Sequence, residues 1–235
     1  MLVAVDHKAS ADIIAALREK AFEPILMPPA PELSAGVSSH TDMLMFVGFG
    51  RLFCHVSYYE ANKALISRIC DESGLELTLS SENWSDKYPA DVLFNACLLG
   101  NRLICNKKTV SKLILEAAEV MGCTIIHVPQ GYTKCSVCIV SDNAIITADK
   151  AIAAACRAQG IDVLQIGEGH VCLPPYNFGF IGGASGAHGN AVYFCGSLDT
   201  HPDGDKIKDF CQMHGKQAIY LSDDKLQDVG SLIFI

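Results

Sequence analysis

Short apolar runs alternate with longer amphipathic stretches along the whole chain. The runs read as strands and the stretches as helices. The segment Tyr132–Ile166 shows the pattern at its clearest. Cys135–Val140 is an apolar run rich in β-formers, and Ser141-Asp142-Asn143 supplies turn residues that bond their own backbone. Ala144–Thr147 follows, so the two runs predict a hairpin. Asp149–Gln159 is Ala-rich and helical, with Thr147 or Asp149 placed to cap it and Gly160 placed to end it. Ile161–Ile166 alternates and reads as a third strand, which makes the unit ββαβ.

The same order recurs. Leu2–Val5 leads through Ser10 to a helix at Ala11–Ala21 and a strand at Pro24–Met27. The second unit has Asp42–Val47, a Gly48-Phe49-Gly50 turn and Arg51–His55. A Ser57/Glu60 capping box then opens a helix to Cys70, with Gly74 and a strand at Leu75–Leu79 beyond it. The third has Asp91–Leu98, a Gly100-Asn101 turn, Arg102–Cys105, a helix at Thr109–Met121, Gly122 and Thr124–Val128. The fifth has Phe178–Gly182, a glycine-rich turn to Asn190, Ala191–Cys195, a helix at Asp205–His214, Gly215 and Gln217–Leu221. The strands before the helices begin near 2, 52, 103, 144 and 191, a spacing of about 40 to 50 residues that marks propellers, solenoids or arrays.

The first unit lacks its leading strand, and Gly230–Ile235 is a strand without a unit. A ring in which the C-terminal strand completes the first unit accounts for both, whereas an open solenoid needs polar caps. The expectation is one α/β domain over residues 1–235: a five-bladed α/β propeller of ββαβ repeats closed by the C-terminal strand. A flavodoxin-like doubly wound sheet also alternates strands and helices, but the hairpin before each helix counts against it.

Composition narrows the function classes. Half of the 235 residues are hydrophobic and 19% are charged, which suits a globular chain with a sizeable core. The net charge of −8 argues against nucleic acid as a partner. No run is long enough to span a membrane, and the first residues lack the basic region of a signal peptide. Eleven cysteines, an odd number, fit reduced thiols in a cytoplasm. Most, including Cys70, Cys97, Cys105, Cys156 and Cys195, fall where apolar packing is expected. Met27–Ser39, with Pro28, Pro29 and Pro31, and the polar Ser80–Pro89, with Trp84, read as loops over one mouth of the ring.

If the leading strands are innermost, their first residues face one mouth of a central channel. These are His40, Thr41 and Asp42; Asp91 and Asn95; Lys134 and Cys135; Tyr176 and Asn177; and Asp228. Polar groups at the start of apolar strands are costly unless solvated or paired, so their convergence marks the candidate site.

Here the chain resembles the pentein fold, the guanidine-modifying superfamily of arginine deiminase, dimethylarginine dimethylaminohydrolase, the amidinotransferases and a non-catalytic ribosome anti-association factor. His40-Thr41-Asp42-Met43-Leu44-Met45-Phe46 is similar to their H-x-D segment, and Thr133-Lys134-Cys135-Ser136-Val137-Cys138-Ile139 to the strand carrying their cysteine. Asp91–Ala96 is similar to a substrate-carboxylate strand, with Asn95 or Ala96 where the family has Asp. The resemblance implies thiolate attack on a guanidinium carbon, a histidine acid/base, and a covalent thiouronium released by water or an amine. It implies His40 as acid/base, Asp42 as guanidinium carboxylate and Cys135 as nucleophile. In those enzymes the cysteine lies on the closing strand. Here that strand reads Asp228-Val229-Gly230-Ser231-Leu232, so a site on Cys135 is rotated around the ring. A non-catalytic ring that binds a small molecule or macromolecular partner is the alternative.

The remaining candidates carry less. Gly179–Gly186 could aim the amides of Gly182 and Gly183, and Ser185, at a substrate, although it lacks a P-loop Lys-Ser/Thr. Strands crowding the axis, or the hairpin turn, explain these glycines more simply. Cys135-x-x-Cys138 has no second such pair, and on a strand its thiols point apart. On a strand Lys134 likewise points away from Cys135. His170 and Cys172 read as a loop anchor or as a further contribution to the mouth. Nothing calls for a cofactor or a metal, and the expected ligand is a small, cationic molecule.

Overall fold

The computed structural model describes residues 1–235. Leu2–Asp6 (β1), Ala11–Glu19 (α1) and Glu23–Met27 (β2) form the first unit. The second runs through Thr41–Leu44 (α2), Met45–Gly48 (β3), Arg51–His55 (β4), Val56–Ala61 (α3), Lys63–Ser73 (α4) and Glu76–Ser80 (β5). The third has a 3₁₀ turn at Ala90–Val92, Cys97–Leu99 (β6), Arg102–Cys105 (β7), Lys112–Val120 (α5) and Thr124–His127 (β8). The fourth has Thr133–Ser136 (α6), Cys138–Ser141 (β9), Ala144–Thr147 (β10), Lys150–Ala158 (α7) and Asp162–Gln165 (β11). The fifth has Ser185–His188 (β12), Ala191–Phe194 (β13), a 3₁₀ turn at Leu198–Thr200, Gly204–Met213 (α8) and Gln217–Tyr220 (β14). Ile233–Phe234 (β15) ends the chain.

These strands make five three-stranded sheets, ordered β15-β1-β2, β3-β4-β5, β6-β7-β8, β9-β10-β11 and β12-β13-β14. In each, the first strand is antiparallel to the second, and the second is parallel to the third across a helix. The C-terminal strand therefore completes the first unit, with Val3 opposite Phe234. The middle strands β1, β10 and β13 are buried along their whole length. A strand covered on both faces reads as a continuous apolar run, which is why LVAV, AIIT and AVYF stand out in the sequence.

Packing closes the ring. One core cluster joins the first three units, from Leu2 and Met27 through Leu52 and Ile66 to Leu103 and Ile114. A second joins the third and fourth through Ile104, Ile145 and Ile152. A third joins the fourth and fifth through Ile146 and Phe194. A fourth returns from Tyr193 and Cys195 to Val3, Val5 and Leu17. The first strands are innermost: β3, β6, β9, β12 and β15 all contribute to the wall of one axial hollow. This is the pentein architecture.

Helix ends follow local chemistry. Asp149 Oδ1 accepts from the amides of Ala151 and Ile152 at 2.8 and 2.9 Å, and Gly160 at φ 72° takes the chain out of α7. Ser111 caps α5, so that helix starts at Lys112 rather than at Thr109. In the second unit His55, not Ser57, is the N-cap, accepting from Ser57 N at 3.2 Å, and the expected single helix divides at Asn62.

The leading segments differ from expectation in one consistent way. Asp42–Val47, Asp91–Leu98 and Cys135–Val140 are not strands from their first residue. Each begins with a single helical turn, at Thr41–Leu44, Ala90–Val92 and Thr133–Ser136, and becomes a strand only at Met45, Cys97 and Cys138. Phe178–Gly182 is irregular, and the fifth leading strand is Ser185–His188. Gly230–Ile235 is a strand only at Ile233–Phe234. The reason is crowding at the axis. There the backbone groups bond across units instead of along a ladder: Asp42 N to Gly230 O at 3.1 Å, Gly183 N to Cys135 O at 2.8 Å, and Ser231 N to Gly183 O at 2.8 Å.

Candidate active site

All five pre-strand segments meet in one buried layer. Its centre is Asn95, whose Oδ1 accepts from the amides of Lys134 at 2.7 Å and Cys135 at 3.3 Å. Those are first-turn amides of α6, which has no side-chain cap of its own, so Asn95 satisfies donors that would otherwise be unpaired. Its Nδ2 donates to Asp42 O at 3.2 Å and approaches Cys135 Sγ at 3.1 Å. Cys135 Sγ donates to Asp42 Oδ2 at 3.1 Å, and Ser231 Oγ lies 2.6 Å from the same oxygen. Lys134 Nζ donates to Ser231 Oγ at 2.9 Å.

His40 lies between two carboxylates. Its Nε2 is 3.6 Å from Asp6 Oδ2 and its Nδ1 is 3.7 Å from Asp228 Oδ1. Both carboxylates are anchored. Asp6 Oδ1 accepts from Ser39 Oγ at 2.6 Å and Lys8 N at 2.7 Å. Asp228 accepts from Phe180 N at 2.8 Å and Gly230 N at 3.0 Å. A one-turn helix does not put residues i and i+2 on one face. Accordingly His40, the N-cap of α2, turns to Asp6 and Asp228 while Asp42 turns to Cys135 and Ser231, in place of the shared face a strand would have provided.

A cavity of about 450 Å³ opens onto this layer. His40, Cys135, Asp91 and Asp228 form its floor and sides, and Tyr88, Tyr132, Tyr176, Phe178 and Phe180 its aromatic walls. Asp86 and Asn177 stand towards solvent, and Ser34, Val37 and Tyr88 come from the two loops expected over one mouth. Tyr132 and Phe180 stack at 6.2 Å, and Tyr88 lies against Tyr132 at 6.1 Å. No lysine or arginine lines this cavity. Asp91 Oδ2 accepts from Tyr132 OH at 2.5 Å, while Asp91 Oδ1 is buried without a partner.

The electrostatics follow from this lining. Burial is the main force raising the Asp91 carboxyl above the ordinary carboxylate range, against the Tyr132 bond. Burial also raises Asp228, with His40 working the other way and Asp42 adding repulsion. Burial first, then Asp42 and Asp228, pushes the Cys135 thiol well above its ordinary value, with the Asn95 contact opposing. Burial and two carboxylates therefore hold the cysteine as a thiol, and a cation in the cavity would favour its thiolate.

The sequence-derived candidates divide in two. His40, Asp91, Cys135 and Asn177 reach the cavity, and Asp42 and Asn95 lie in the layer beneath it. Lys134, Gly182, Gly183 and Ser185 do not line it. Lys134 is turned to the opposite hollow. Gly183 N is already bonded to Cys135 O, and a Cβ there would come within 2.0 Å of Asp228 Oδ1. A Cβ at Gly182 would meet Lys134 O and Val137 O at 2.4 Å, and Ser185 Oγ is spent on Ile181 O at 2.8 Å. These glycines answer to crowding at the axis, not to an anion. Cys138 packs in the core shared by the fourth and fifth units and does not pair with Cys135. His170 lines a separate hollow of about 260 Å³, with its ring 5.1 Å from that of His201, and Cys172 is exposed. Asp6, Ser231 and the Phe180 wall were not among the sequence candidates. Asp6 follows a short apolar run and Ser231 precedes one, a signal too common to single out.

Comparison with known structures places the fold. Dimethylarginine dimethylaminohydrolase (DDAH) from Pseudomonas aeruginosa, complexed with citrulline, superposes with a TM-score of 0.60 at 7% identity, covering 94% of this chain and 91% of that one. Agmatine deiminase from C. jejuni gives 0.56 at 10% identity, covering 98% and 93%. SxtG, an amidinotransferase from Microseira wollei in saxitoxin biosynthesis, gives 0.57 at 8% identity, covering 94% and 88%. By sequence, no curated protein matches. A family of unknown function, DUF6873, matches residues 4–233.

Proposed function

The chain belongs to the DUF6873 family, and from that premise and the site just described we propose that it is a cysteine-dependent hydrolase or transferase acting on a small guanidinium or amidinium compound. The observation that carries this reading is that Cys135, His40, Asp91 and Asp228 share one aromatic-walled cavity without a lysine or arginine in its lining. Carboxylates and aromatic faces together suit a planar cation. The unpartnered Asp91 Oδ1 is an acceptor awaiting an N–H donor. That structural neighbours are a deiminase, an amidinotransferase and a hydrolase complexed with citrulline supports the same ligand class.

In this reading the cation enters against Asp91 and Asp228 and offsets the field that keeps Cys135 protonated. The thiol proton leaves through the carboxylate and imidazole groups of the layer. The sulfur attacks the central carbon, and one amine departs with a proton delivered by His40. The resulting S-alkylthiouronium is released by water or by an acceptor amine, which returns the thiol. Asp6 holds His40 from behind, as an orienting carboxylate does for a general acid/base. Asp42 holds the thiol and Asn95 holds the turn that carries it.

Treatment with 2-chloroacetamidine, followed by intact mass and peptide mapping, tests the proposal. Fast single labelling at Cys135, slowed by guanidino competitors and by His40→Ala, is the expected result. Labelling scattered over several thiols, no faster than in the unfolded chain, would remove the cysteine mechanism. The raised thiol favours the second reading, a ring that binds a cation without chemistry. Under that reading competitors bind and protect the fold while Cys135 stays unlabelled.

A further inference from the structure

The opposite mouth of the ring holds a second hollow, of about 170 Å³. Its wall is apolar, with Phe46, Phe94, Ile139 and Phe234 among its residues, and two charged side chains, Asp42 and Lys134, also line it. Asp42 is 1% exposed, and its Oδ1 is buried with no hydrogen-bond partner, while Oδ2 is occupied by Cys135 and Ser231. Lys134 Nζ spends one N–H on Ser231 Oγ at 2.9 Å. An ammonium has three, so donors remain. An unsatisfied buried acceptor beside a cation with spare donors, under an apolar wall, is a built polar floor.

We propose that this hollow is a second ligand site and that its occupant is a compact apolar molecule bearing a primary amide. The amide carbonyl accepts from Lys134 Nζ and its N–H donates to Asp42 Oδ1, while the apolar body lies against Phe46, Phe94 and Phe234. The charge argument selects this head. Lys134 and Asp42, bridged by Ser231, are together neutral, so a carboxylate gains Lys134 but meets Asp42. A zwitterionic amino acid has to strip water from two charges inside an apolar wall, which costs more than burying a neutral amide with both bonds made. The site lies beyond the wall formed by Asp42, Cys135 and Ser231, and does not depend on the reaction proposed for the first cavity. It shares one residue with the layer beneath that cavity, Asp42, which holds the Cys135 thiol.

Titration calorimetry and ligand-detected magnetic resonance with benzamide, benzoate and L-phenylalanine as probes decide the matter. Benzamide is expected to bind at least tenfold more tightly than the other two. Lys134→Met should weaken it by tenfold or more. Ala187→Phe, which fills the hollow from its β12 wall and leaves Cys135 and its hydrogen-bond partners unsubstituted, should abolish it while chloroacetamidine labelling of Cys135 is unchanged. Absence of benzamide binding to the wild-type chain overturns the proposal. So does equal or tighter binding of benzoate or phenylalanine, or benzamide binding that survives both substitutions. Because the readout is binding, failure here leaves the proposal for the first cavity standing, and failure of labelling there leaves this one standing.

Discussion

Asn95 has the broadest structural role of the residues in the layer, since one amide satisfies two backbone donors of α6 and one carbonyl of α2. Asn95→Ala strands these groups inside the protein, at about 1–3 kcal/mol for a buried unsatisfied donor or acceptor. A urea or thermal melt should show that loss. Asp42 has a different signature. It is a cause of the raised Cys135 thiol, second only to burial, so Asp42→Asn should lower the thiol's pKa and speed its alkylation by a neutral reagent at pH 8. Turnover of a guanidino substrate would not follow that gain if Asp42 also steers the proton. His40→Ala should cost about 10²–10⁴ in rate, the usual worth of a positioned acid/base, with little change in binding of the cation. At Gly183 an added methyl has no space, because Asp228 Oδ1 would lie 2.0 Å from it. Gly183→Ala should destabilise by about 1–3 kcal/mol as an overpacked position does, and should displace Asp228 from His40.

At the scale of elements, the single helical turns before β3, β6 and β9 aim the site. A strand would commit its amides to a ladder, whereas the turn of α6 leaves the amides of Lys134 and Cys135 free to meet Asn95, with Cys135 on one mouth and Lys134 on the other. The regular helices do the ordinary work of covering the sheets. Their caps set local stability: Asp149→Ala removes bonds to two amides of α7 and the Gln130 contact at 3.1 Å. A cost of about 1–2 kcal/mol is expected for such a cap, which in a chain of this size lowers the melting temperature by about 2–4 °C per kcal/mol. Calorimetry of that variant, with labelling of Cys135 unchanged, would separate a scaffold effect from a site effect.

At the scale of the molecule, the core is rich in reduced thiols, and all eleven cysteines are free. Burial pushes Cys54, Cys97, Cys105 and Cys211 up to about 12, and Cys138 and Cys156 up to about 11. Their folded-state values lie above the unfolded ones. The stability they contribute is therefore whole below the unfolded value of about 8.5 and is lost as pH rises through the folded values. Each thiol contributes a slope of up to about 1.4 kcal/mol per pH unit in that window. Stability should fall steeply between pH 9 and 11, more steeply than for a variant in which Cys97 and Cys156 are replaced by Val. Denaturant midpoints across that range check the slope. The ring itself is held by packing handed from unit to unit and back to β1, while the pairing of β15 with β1 completes the first sheet.

The repeat order, the closing role of the last strand and the list of polar residues at the starts of the leading runs were all legible in the sequence, because each rests on local chemistry. Apolar period, turn residues and caps recur with the unit, and a strand left over at the C-terminus has one vacancy to fill. His40, Asp91, Cys135, Asn177 and Asp228 could be named that way. What the chain alone left open was direction. MLMF and SVCIV are continuous apolar runs in which nothing local marks where a helical turn gives way to a strand. That boundary is set by bonds to Gly230 and Asn95 on other segments, 39 residues and more away. Only the tertiary structure could send Lys134 to one mouth and Cys135 to the other, join Asp6 to His40, and commit the amide of Gly183 to the backbone, since each depends on which groups the closed ring brings within reach.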